Sequence, residues 1–101
     1  MGRIKIDIPK AKIVEFCRRW MITELAIFGS VLREDFNPES DVDVLVSFVK
    51  DAPWSLFDLV QMQEELKEIF GREVDLVEKA GLRNPFRRHA ILTNKEVIYA
   101  A

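Results

Sequence analysis

The segment Asp41-Val-Asp-Val-Leu-Val-Ser-Phe48 constrains the fold more than any other part of the chain. Its valines favour a pleated, half-buried strand. Strand alternation sends Val42, Val44 and Val46 to one face and puts Asp41 and Asp43 together on the other. The valine face is expected to pack inward. Around it the sequence alternates in type. Pro9 to Trp20 carries Ile13, Phe16, Cys17 and Trp20 at helical spacing, with Arg18 and Arg19 outside. Glu24 to Phe28 is a short apolar run stopped by Gly29, which reads as a first strand. Ser55 to Phe70 reads as the longest helix, with Ser55 as N-cap, Leu59, Met62, Leu66 and Ile69 on one stripe, and Gly71 as its stop. Glu73 to Val77 alternates as a third strand, Pro85 to Thr93 reads as a helix, and Glu96 to Tyr99 as a closing strand. The expected class is α/β (α+β), a mixed sheet of about four strands packed by helices.

Composition sets the limits. A chain of 101 residues allows one domain, residues 1–101. At this size folding buries only about 60 to 65% of the unfolded surface, which leaves apolar surface for a partner. Fifteen Lys and Arg against 17 Asp and Glu argue against direct nucleic-acid binding by phosphate neutralisation. The single cysteine, Cys17, excludes an internal disulfide or a cysteine metal site and reads as a core residue. With no apolar run near the ~20 residues of a membrane span and no signal-like N-terminus, the expectation is a cytoplasmic protein without a membrane role.

Three features carry chemistry. Asp41 and Asp43 present like charges to one site, and Mg²⁺ accepts such hard oxygen ligands while substrate phosphates complete its octahedron. Alone, such a pair is more often a solvated junction between loop and strand. Gly29 and Ser30 follow the first strand; glycine permits positive φ and close backbone approach, and the hydroxyl adds a contact for phosphate, although Ser30 also suits a plain N-cap. The residues after them, Val31 to Asp35, are expected to form a short helical turn. Asp75 suits equally an edge strand with a solvated acidic face; if its strand pairs beside Asp41 to Phe48, Asp75 can join the other two acids, and three acids on adjacent strands make a two-metal site.

The combination Gly29-Ser30, ten residues, then Asp41-Val42-Asp43 resembles the signature of the DNA polymerase beta nucleotidyltransferase superfamily, with Asp75 in Val-Asp-Leu-Val as its third acid. From end to end the chain is similar to the minimal nucleotidyltransferases, through Ser40-Asp41, Arg33 and the late Leu-x-x-Pro segment with its terminal Val-Ile-Tyr. It departs at Glu34, where many relatives have glycine, which changes the shape and charge of the phosphate loop.

The resemblance implies that Gly29 and Ser30 hold the β and γ phosphates of ATP and that Arg33 assists with the triphosphate. It implies that Asp41 and Asp43 bind two Mg²⁺ ions, and that Asp75 completes one of them and acts as base. It further implies an antitoxin that transfers AMP from ATP to a hydroxyl, a tyrosine's, on a small all-helical HEPN-class toxin encoded by the adjacent gene. Two other readings stay open: a non-catalytic antitoxin that masks the toxin by binding, and a small-molecule nucleotidyltransferase with a separate substrate subunit. A homodimer is also left open. Arg83 and Arg87, four apart, are expected to share a helix face with Arg88 and His89 beside them as a solvated helix start, and Trp20, Trp54, Phe57 and Phe86 are expected mostly in the core.

Overall fold

The computed structural model describes residues 8–29 and 41–101. Helix α1 (Lys10–Arg19) leads into strand β1 (Ile22–Phe28). Then follow β2 (Val42–Phe48), α2 (Leu56–Phe70), β3 (Val74–Glu78), a 3₁₀ turn (Lys79–Gly81), α3 (Pro85–Asn94) and β4 (Glu96–Ala100). The four strands form one mixed sheet in the order β3-β2-β1-β4. Strands β2 and β3 are parallel, whereas β1 runs antiparallel to both β2 and β4. A parallel pair cannot be closed by a tight turn, and α2 supplies the crossover that β2 and β3 need.

Local signals explain the elements. Ile13, Phe16 and Cys17 bury one stripe of α1, and Met21, at φ 57°, turns the chain out of the helix into β1. Pro9 stands in the N-cap place rather than inside the helix. Helix α2 begins with a reciprocal cap: the Asp58 backbone N–H donates to Ser55 Oγ at 3.4 Å, and the Ser55 N–H donates to Asp58 Oδ2 at 2.9 Å. Gly71 closes α2 at φ 70°, its N–H donating to the Lys67 carbonyl at 2.8 Å. Helix α3 starts at Pro85 after Asn84, whose side-chain oxygen accepts from Phe86 N–H and Arg87 N–H. Arg83 therefore precedes the cap and does not share a helix face with Arg87, contrary to the expectation from spacing. Arg88 is tied back by donating to the Lys79 carbonyl at 3.3 Å.

The sheet is covered on both faces. On one, Val42, Val44 and Val46 meet Ile13, Phe16 and Cys17 of α1 and Met62 and Leu66 of α2. On the other, Ala26, Phe28 and Leu45 pack against Leu82 and Ile91. Burial pushes the Cys17 thiol up to about 12, so it stays neutral and unreactive in the fold. At the rim of the larger core, Trp20 and Trp54 meet edge to face at 5.0 Å, and Trp54 Nε1 donates to the Trp20 carbonyl at 2.7 Å. The expectation of core aromatics holds for this pair in part, since both lie partly buried against the core. It fails for Phe57 and Phe86, which are 87% and 86% exposed. Both sit in the first turn of a helix, at a position facing away from the sheet.

Candidate active site

Two of the three expected carboxylates, Asp43 and Asp75, lie at the end of the sheet where β1 leaves and β2 enters. Phe28, the last residue of β1, is paired with Asp43. Gly29 follows at φ 77°, in the left-handed region that other residues rarely adopt. A Cβ built on Gly29 would lie 2.2 Å from Asp43 Oδ2 and 3.0 Å from its Cγ. Glycine is favoured by its backbone angle, and a side chain there would push the Asp43 carboxylate aside. The close approach that the sequence signalled at Gly29 is made by Asp43.

The parallel register brings in the third acid. Asp43 pairs with Asp75, and Val42 with Val74, so the two aspartates sit side by side on the face away from α1 and α2. The Val42 N–H donates to the Glu73 carbonyl at 2.9 Å and fixes this register at its start. Asp41 lies one residue before β2 and is exposed. Asp43 is half-buried and Asp75 exposed. The structure therefore assembles Gly29, Asp43 and Asp75, with Asp41 at the margin. Ser30, Arg33 and the expected helical turn of Val31 to Asp35 lie outside the described residues.

Among the described residues, no group of three or more Asp, Glu, His or Cys side chains is placed to hold a metal ion together. The donor set nevertheless fits Mg²⁺, which enzymes commonly bind through one or two carboxylates while phosphates and water fill the octahedron. The side-by-side carboxylates of Asp43 and Asp75 offer that number.

A cleft of about 460 Å³ opens elsewhere, lined among others by Phe48, Lys50, Trp54, Glu78 and Arg88. It lies at the far end of β2 and β3 and contains none of these aspartates, so its volume does not mark the chemistry. Sequence reading missed one polar contact that bears on the site: Gln63 of α2 reaches the edge of β3. A lone glutamine on a helix gives no signal of such a contact.

The site is thus a mixed four-stranded sheet that sets two aspartates in register beside a left-handed glycine. Residues 10–98 match the model of the nucleotidyltransferase domain family, and the chain belongs to that family as a minimal nucleotidyltransferase. It is 34% identical over 85 residues to the protein adenylyltransferase MntA of Thermococcus cleftensis, covering 84% of this chain and 81% of that one. It is 32% identical over 99 residues to a candidate protein adenylyltransferase of Methanocaldococcus jannaschii, covering 98% and 96%. Among solved structures, a toxin–antitoxin complex with AMP-PNP matches at a TM-score of 0.74 and 17% identity, over 92% of this chain and 74% of that one. A complex of tri-AMPylated Shewanella oneidensis HEPN toxin with its MNT antitoxin matches at 0.66 and 17%, over 91% and 70%. These last two likenesses show the fold. No helix among the described residues is long and apolar enough to cross a membrane.

Proposed function

We propose that this enzyme is an antitoxin that transfers AMP from ATP to a tyrosine hydroxyl of a small all-helical HEPN-class toxin, in the cytoplasm. The observation that carries the reading is the register of Asp43 with Asp75 next to Gly29, two acids side by side as the transfer reading requires. The relatives named protein adenylyltransferases support the transfer of a nucleotide to protein, and the toxin–antitoxin neighbours support the acceptor.

The roles follow from position. Gly29 and Ser30 would bind the β and γ phosphates, with Arg33 on the triphosphate. Asp41 and Asp43, with Asp75 beside them, would hold Mg²⁺. When bound, Mg²⁺ would stabilise charge on the entering and departing oxygens. Asp75, exposed at the sheet edge, is open to an acceptor and would take the phenolic proton. The phenol oxygen then bonds to the α phosphorus while the bond from that phosphorus to the β-phosphate bridging oxygen breaks, and pyrophosphate leaves with the electron pair. A phenol, with pKa near 10, yields its proton to a carboxylate more readily than an aliphatic hydroxyl. Holding it in line removes several kcal/mol of barrier, which is the acceptor's own contribution to the site.

The test mixes the chain, Mg²⁺ and α-labelled ATP with the product of the adjacent gene, and follows both proteins by mass. AMP added to the partner, and lost with Asp43→Asn, is the expected result. Complex formation that inhibits the toxin without added mass would replace this reading with a masking antitoxin.

A further inference from the structure

Strand β3 is an edge strand, and it carries Asp75. In a parallel pair, alternate residues of each strand make the ladder. Since the Val42 N–H donates to the Glu73 carbonyl, the ladder residues of β3 are Glu73, Asp75 and Val77, and the N–H groups of Val74, Leu76 and Glu78 point outward from the sheet. One of these outward groups has a partner from another element: the Leu76 N–H donates to Gln63 Oε1 at 3.2 Å. The glutamine comes from the middle of α2, whose neighbouring residues Met62 and Leu66 are wholly buried in the core. Its Cα is therefore fixed, and the carboxamide stands where a fifth strand would otherwise pair. A five-residue edge strand held on one side only is prone to fray or slip, and a one-residue slip would turn Asp75 to the opposite face.

We propose that Gln63 is a positioning residue: by holding the outward amide of Leu76, it keeps Asp75 in register with Asp43. It touches neither substrate nor metal. The inference deepens the proposed transfer reaction and rests on it for its catalytic consequence, while the holding of the strand can be read without any activity.

The test compares Gln63→Met, which keeps length and helix preference but removes the acceptor, with Gln63→Glu, which keeps an acceptor oxygen. Two measurements are made on each full-length chain: amide hydrogen exchange at Asp75 and Leu76 without nucleotide, and kcat and KM for ATP in the transfer assay. For Gln63→Met the expected result is exchange at Asp75 faster by tenfold or more, with the amides of α2 unchanged. Its kcat should fall roughly tenfold, within the ~hundredfold that an ångström of misplacement can cost, with KM for ATP unchanged. Gln63→Glu at pH 8 should restore both. Wild-type exchange at Asp75 in Gln63→Met overturns the proposal, as does a kcat equal to wild type in an active enzyme. If the wild-type chain transfers nothing, the reaction assignment fails by itself, and exchange at Asp75 alone decides whether Gln63 holds the strand.

Discussion

Gly29 is the residue whose replacement should be most informative. Gly29→Ala places a methyl group against the Asp43 carboxylate and forces a left-handed backbone angle on a residue with a side chain. Such strain costs about 1–3 kcal/mol. The expected outcome is a folded chain with a lowered melting temperature and transfer reduced at least a hundredfold, because Asp43 must move. Calorimetry and the mass assay check the two parts separately. Asp43→Asn should behave differently, abolishing transfer while far-UV circular dichroism stays that of the wild type, since the amide fills the same space beside Gly29. A variant unfolded in that assay would mean that Asp43 serves the fold first.

Among the elements, the contact between α1 and α2 turns on Glu65. Its carboxylate accepts from Arg19 at 2.8 Å, Trp20 Nε1 at 3.0 Å and Gln61 Nε2 at 3.2 Å. Burial pushes the carboxyl up, but the hydrogen bonds from Trp20, Gln61 and Arg19 outweigh it and hold the group below its ordinary value. A lowered folded-state pKa means that the native chain binds fewer protons than the unfolded one. The contribution is therefore present above the ordinary carboxyl value of 4.5 and is lost as pH falls through the folded value. Glu65→Gln should cost about 1.5–3 kcal/mol at pH 7, the scale of hydrogen bonds to a charged group. Urea unfolding from pH 7 down to pH 3 should show the difference from wild type shrinking with acid. A gap independent of pH would assign the loss to packing.

For the molecule as a whole, the placement of large apolar side chains separates core from surface. Phe16→Ala removes a fully buried ring from the layer between α1 and the sheet and should cost about 3–5 kcal/mol. Phe57→Ser and Phe86→Ser replace rings that are almost fully exposed and should change stability by less than about 0.5 kcal/mol. Thermal denaturation of the three variants checks the contrast. The sequence alone determined the order of helices and strands, because caps such as Ser55 and Gly71 and the periods of the Val42 to Phe48 and Leu59 to Ile69 segments act locally. Alternation within the strand sets Asp43 on the face opposite Val42, Val44 and Val46, whereas Asp41 lies just outside β2. Strand ends shifted by a residue or two, as where Ile22 pairs with Phe48 beyond the expected start of β1, because pairing depends on the neighbouring strand. Only the tertiary structure decided that Asp75 stands beside Asp43, that Gly29 leaves room for a carboxylate, that Gln63 caps the β3 edge, and that Phe57 and Phe86 face outward. Each depends on contacts between segments distant in the chain, and local spacing fixes the direction of a side chain along its own element but not the neighbour it meets.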